Sequence, residues 1–275
     1  MSAAAGAEPL RDEHSGWYLY GVVGAKQAPP APTSSSVDAR HQVVVLEEGP
    51  LAGVASRVSL DEFDEPALEE RLGDAAWLEE KIRSHEQVLE AVLEHAPVVP
   101  CRFCTVYRTE NDLRRFLAER RDALVEALAS VAGRVELGVK AFVDPERFSA
   151  ADESLREAKE RVAGAEGGRA YLEARRLEKR IGEELRRFQG AVAAELHQRL
   201  LAAAEDGVLL DLQPPELSGR DEEMLFNAAY LVEDQSRFER ELGSVANEQR
   251  PRGIELELTG PWPPYNFVPT ELRAS

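Results

Sequence analysis

The strongest constraint on the fold is an apolar series between Arg169 and Ala204. In it Tyr171, Ala174, Leu177, Ile181, Leu185, Phe188, Val192, Leu196 and Leu200 step by three and four residues. Only an α-helix gathers such positions onto one face, so the spacing predicts a single long helix. Its other face carries Arg175, Arg176, Lys179, Arg180, Arg186 and Arg187 among glutamates, with Glu183 and Arg187 one turn apart and able to pair. A helix with one apolar face needs a second layer to cover it.

Candidate strands flank it. Val135–Val143 alternates apolar and polar residues, and Gly207–Leu212, Met224–Val232 and Ile254–Thr259 follow the helix, with a further helix expected near Asp234–Asn247. The order strand, helix, strand, strand, helix, strand is that of a ferredoxin-like split βαβ unit, an antiparallel four-stranded sheet with two helices on one face. Upstream, Trp17–Val23, Gln42–Leu46 and Leu51–Val58 read as strands. Helices are expected from Asp74 to His95 and from Thr109 to about Val131, with an extended segment, Val98–Tyr107, between them. The fold class is therefore α+β with two domains, the first a modified ferredoxin-like domain with an extra hairpin. The length of 275 residues suits two compact domains. The expected boundaries are a disordered leader over 1–16, an N-terminal domain over 17–133, a C-terminal domain over 134–260 and a Pro/aromatic tail over 261–275.

Charge narrows the choice of partners. The chain holds 33 basic and 51 acidic residues, net −18. Residues 1–143 and 204–275 each carry −9, and a charge-dense neutral stretch lies between them. Such a balance repels a phosphate backbone, so nucleic acid is not an expected partner. No run approaches the roughly 20 apolar residues that cross a bilayer, so neither is a membrane. Met1–Gly16 lacks the apolar core of a secretory signal, and two cysteines make no disulfide framework; a cytoplasmic setting is expected.

Little in the sequence suggests catalysis. Cys101 and Cys104 form a CxxC without a second ligand pair, in a segment read as extended, where positions three apart point to opposite faces. Two packed thiols are the expectation. His14, His41, His85, His95 and His197 have no partner at ligand spacing and read as surface or helix-face residues. Acidic pairs such as Glu79-Glu80 read as a solvated face, and Gly164, Gly167 and Gly168 as a hinge before the long helix. No catalytic residue, metal site or cofactor is expected.

Gly260–Val268, GPWPPYNFV, differs in kind. Three prolines should take the chain out of the sheet after Thr259 as a stiff extended segment, and Trp262, Tyr265 and Phe267 carry apolar area that must pack on something. They suit either a cover for an open part of their own domain or a partner-binding surface.

This segment resembles the C-terminal signature of the GvpF/GvpL family of gas vesicle accessory proteins. Tyr18–Val23, Val98–Tyr107 and Leu225–Val232 are similar to other blocks of that family in the same order, so the resemblance spans nearly all of Trp17 to Val268. The family's central block usually reads like LPLRFGTVF; this chain departs at Cys101, where an apolar residue is usual, and at Cys104, where glycine is. The resemblance implies a cytoplasmic or vesicle-associated accessory protein. It would bind the small, strongly hydrophobic structural protein of the gas vesicle shell, as a chaperone or minor shell component. Alternatives are a scaffold for other gas vesicle accessory proteins and an enzyme on a ferredoxin-like scaffold. Arg102, Phe103 and Thr105, which match the family block, join Trp262, Tyr265, Asn266 and Phe267 as candidate protein-binding residues.

Overall fold

The computed structural model describes residues 14–214, 220 and 222–273. The chain divides into two compact units, one running up to Arg134 and resuming at Pro263, the other spanning Val135–Trp262. Of the expected leader, residues 1–13 lie outside the described residues. Ser15 and Gly16 already belong to the first strand, because their backbone pairs with Ser59 and Val58.

Unit 1 holds a five-stranded antiparallel sheet of β1 (Ser15–Gly24), β2 (Val43–Glu48), β3 (Leu51–Ser59), β4 (Val99–Pro100) and β5 (Val106–Tyr107). The order is β2-β3-β1-β4, and β5 also pairs with β1. After β3 come α1 (Leu60–Phe63), α2 (Glu65–Arg71) and α3 (Ala75–Leu93); after β5 come α4 (Glu110–Glu119) and α5 (Arg121–Val131). The Asp74 carboxylate starts α3 by accepting the backbone N–H groups of Ala76 and Trp77 at 3.1 and 3.2 Å.

Both faces of this sheet are covered. Tyr18, Tyr20, Val54 and Val58 pack with Phe63, Trp77, Val88 and Leu89 on the α3 side. Leu19, Val22, Leu51 and Ala55 pack with Leu113, Leu117, Leu124 and Leu128 on the α4–α5 side. This differs from helices on one face alone. The reason is visible in β1 and β3, whose side chains are apolar on both sides and need two apolar layers to leave water.

Two local expectations also change. The helix expected from Thr109 to Val131 is broken at Arg120 (φ −99°, ψ 10°). Leu117 and Leu124 are seven residues apart, two turns, so the apolar face continues across the break and leaves no trace in the spacing. Val98–Tyr107 is not continuously extended: Thr105 N–H donates to Arg102 C=O at 3.2 Å, closing a turn, and Cys104 takes φ 64°.

Unit 2 has a four-stranded antiparallel sheet in the order β7-β8-β6-β9, from β6 (Val135–Val143), β7 (Asp206–Leu209), β8 (Glu223–Val232) and β9 (Ile254–Trp262). Its helices are α6 (Pro145–Ala151), α7 (Glu153–Ala163), the long α8 (Gly167–Leu201) and α9 (Gln235–Gln249). Val139, Ala141, Ala228 and Tyr230 of the central strands pack with Leu185, Val192, Leu196 and Leu200 of α8 and Phe238 and Val245 of α9. Of the expected hinge glycines, Gly164 caps α7, while Gly167 and Gly168 open α8, Gly167 at φ 60° with open space around it. Glu183 pairs with Lys179 at 3.7 Å, and Arg187 turns to Glu184 at 3.1 Å, rather than the two pairing with each other.

The chain does not leave this sheet at Thr259. β9 continues through Pro261 to Trp262, which stands opposite Glu136 after a register shift. An edge strand tolerates a proline whose missing donor would face outward, and Gly260 at φ 103° supplies the local kink. The segment expected as a tail from 261 therefore begins inside a strand.

Candidate functional site

The structure splits the seven candidate residues. Arg102, Phe103, Thr105, Tyr265, Asn266 and Phe267 fall in unit 1, and Trp262 in unit 2. The aromatic-proline segment does not cover the domain that precedes it. It returns to unit 1, with Pro263 and Pro264 buried, Tyr265 and Phe267 half-buried and Asn266 exposed. Tyr265 packs against the core on the α3 side, whereas Val268 and Leu272, each 2% exposed, lie in the core on the α4–α5 side. Just past these anchors, Arg273 C=O accepts the N–H of Arg102, two residues beyond β4, at 2.9 Å.

A directed hydrogen-bond chain fastens it. Tyr265 Oη donates to Glu86 Oε1 at 2.9 Å and so accepts from His85 Nε2 at 3.2 Å. With the proton of the neutral ring on Nε2, Nδ1 accepts from Tyr18 Oη at 2.9 Å, and Tyr18 Oη accepts the Cys104 N–H at 3.0 Å. His85 is 1% exposed, and burial pushes its pKa down to about 4. Burial also raises Glu86, and it holds Tyr18 well above the usual phenol range. Phe103 closes the surroundings with its ring 6.0 Å from His85 and 6.5 Å from Trp77. Thr105 is buried, and its backbone N–H and hydroxyl both donate to Arg102 C=O, at 3.2 and 2.8 Å. These residues build the dock for the C-terminal segment.

His85 therefore corrects the expectation of a surface or helix-face histidine. The signal was present: His85, Val88, Leu89 and Val92 follow the spacing of one helical face, so a histidine there must be buried. Its partner could not be read locally, because Tyr265 is 180 residues away. His197 is also engaged, with Nδ1 3.0 Å from Tyr230 Oη.

The thiols lie on opposite sides of the sheet, Cys101 fully buried on the α4–α5 side and Cys104 packed on the α3 side. Burial raises the Cys101 thiol and pushes Cys104 up to about 12, so both stay protonated at neutral pH. Among the described residues no group of three or more His, Cys, Asp or Glu could hold a metal ion, and no helix is long and apolar enough to cross a membrane.

In unit 2, Trp262 is 36% exposed, and its indole N–H donates to Thr259 Oγ1 at 3.2 Å. Gly138 makes room for this pair: a Cβ there would stand 2.4 Å from Thr259 Oγ1. Leu258, also on β9, is 37% exposed. Leu258 and Trp262 thus expose apolar area on opposite faces of an edge strand that, among the described residues, pairs with β6 alone.

Comparison with known proteins places this geometry. The model of the family "Gas vesicle synthesis protein GvpL/GvpF" matches residues 16–269. Gas vesicle protein L of Streptomyces sp. (strain CB03234) is 35% identical over 224 residues, 82% of each chain. Gas vesicle protein L1 of Halobacterium salinarum is 27% identical over 275 residues, covering 96% of this chain and 94% of the relative. The crystal structure of the gas vesicle protein GvpF from Anabaena sp. PCC7120 superposes with a TM-score of 0.64 at 20% identity, covering 93% of this chain and 96% of that one. That likeness establishes a shared α+β fold with two antiparallel sheets. By the family match across nearly its whole length and its similarity to the Streptomyces protein, the chain belongs to the GvpL/GvpF family of gas vesicle synthesis proteins.

Proposed function

We propose that this chain serves gas vesicle assembly in the cytoplasm by binding the hydrophobic structural protein of the shell. It covers apolar surface until the growing shell buries it, or stays as a minor shell component, and it catalyses no reaction. A strongly hydrophobic subunit outside its shell exposes surface that drives aggregation, and a soluble acidic partner relieves this stoichiometrically.

The observation that carries the reading is Trp262, 36% exposed at the end of the edge strand β9, where it stands opposite Glu136. An edge strand offers backbone groups for strand addition, and an aromatic anchor beside it supplies contact area at low entropic cost. The Tyr265–Phe267 segment contributes differently: it fastens unit 1, and Trp262 is the one aromatic of the signature left toward a partner.

We also read unit 2 as a ferredoxin-like split βαβ unit, supported by its antiparallel β7-β8-β6-β9 order with α8 and α9 on one face. Unit 1 is an altered relative, extended by the β2–β3 hairpin and by helices on its second face.

The test is co-expression with the structural protein and purification through a tag on this chain. The expected result is co-purification of soluble structural protein, reduced roughly tenfold by Trp262→Ala, as for an aromatic anchor at an interface. If the two neither co-purify nor become co-soluble, the reading is wrong.

A further inference from the structure

The first half of α8 departs from the rest of the chain in charge. Residues 167–188 hold seven basic and four acidic side chains, net +3, in a chain of net −18. All seven cations are exposed, while Ala174, Leu177 and Ile181 on the opposite side are half-buried. At about 100° per residue, Leu172, Arg175, Arg176, Lys179 and Arg186 share one arc with Tyr171 at its border. Tyr171 and Leu172 are 65% and 57% exposed. Arg176 pairs with Glu173 at 3.0 Å within the helix, but Arg175 and Arg186 form no ion pair with any described residue.

Unit 1 carries the converse surface. Residues 65–94 hold nine acidic and three basic side chains, net −6. On α3, exposed Glu79 and Glu90 face away from buried Trp77, His85 and Val88, and Arg83 on the same arc pairs with Glu79 at 2.5 Å. Ile82, at the border of this face, and Leu72, just before α3, are 39% and 45% exposed. Glu79 and Glu90 are spaced as Arg175 and Arg186 are, three helical turns or about 16 Å apart. The two surfaces are therefore opposite in net charge, and the outer charges of each are equally spaced.

We infer that the basic stripe of α8 in one copy docks on the acidic stripe of α3 in a second copy. Every molecule carries both surfaces at equal concentration, so a second copy is an ever-present complement. Because the two patches differ, one contact leaves a free patch on each copy, and the second contact is made either reciprocally in a closed pair or with a further copy. The contact is electrostatic at its rim and weakens as salt rises. It does not depend on the shell-protein reading above.

Sedimentation velocity of the full chain over a range of concentrations, in about 50 mM and about 500 mM NaCl, tests this. The expected result is concentration-dependent self-association at low salt and its loss at high salt. Arg175→Glu/Arg186→Glu and Glu79→Arg/Glu90→Arg each weaken association at least roughly tenfold. An equimolar mixture of the two variants restores it, because the reversed arm of one meets the reversed α3 of the other. All four positions are exposed, and circular dichroism of each variant checks folding. A monomer under all conditions, or a mixture that fails to restore association, overturns the inference.

Discussion

At the residue scale, His85 makes unit 1 sensitive to acid. Its pKa falls from 6.5 to about 4 on burial, so between these values the unfolded chain binds the extra proton and the folded one does not. Stability held above pH 6.5 is lost as pH falls toward 4, by an amount of order 2–3 kcal/mol for this group. Glu86, raised by burial, acts in the opposite direction near its own pKa and offsets part of the loss. Urea unfolding of wild type and His85→Gln at several pH values measures the difference; the expected result is a flatter profile over this window in the variant. Cys104 offers a second test. It holds φ 64°, a conformation costing a non-glycine residue about 1–2 kcal/mol, at a position where the resembling family block carries glycine. Glycine loses about 0.5–1 kcal/mol of this through its freer unfolded chain. Cys104→Gly is expected to stabilise by about 0.5–1 kcal/mol, read as a higher urea midpoint at unchanged slope. A lower midpoint would mean that the packed thiol outweighs the strain.

At the scale of elements, the C-terminal segment is part of the core of unit 1. Val268 and Leu272 are buried in it, and fully burying an aliphatic side chain contributes about 1.5–3 kcal/mol. Val268→Ala/Leu272→Ala is expected to cost about 3–6 kcal/mol by urea unfolding, with the loss confined to probes of unit 1. An unchanged midpoint would show that the segment is a dispensable tail. The sequence made the long helix and the strands of unit 2 legible because their periodicities of 3.6 and 2 are strong and their turn residues ordinary. Three things were not legible, each for a local reason. The Arg102–Thr105 turn lacks the glycine that marks left-handed backbone, because Cys104 stands there. The break at Arg120 falls between Leu117 and Leu124 without shifting the apolar face. Pro261 looked like the end of a strand, but edge position and the Gly260 kink let β9 pass through it to Trp262.

For the whole molecule, the signature Gly260–Val268 identified the family from sequence, yet its chemistry divides at the boundary between the units. Trp262 ends unit 2 with exposed aromatic area, and Tyr265 onward closes unit 1 through His85. Sequence alone grouped Trp262, Tyr265 and Phe267 as one candidate site, because adjacency along the chain cannot tell which unit each side chain joins. Arg102, Phe103 and Thr105 matched the same family and turn out to shape the turn and the surroundings of His85. The measurement that tests this division most directly is hydrogen–deuterium exchange of the full chain with and without the gas vesicle structural protein. The expected result is new protection along β9 from Leu258 to Trp262, with exchange across Tyr265–Leu272 unchanged. Protection confined to Tyr265–Leu272, or no change anywhere in a complex that co-purifies, would contradict it.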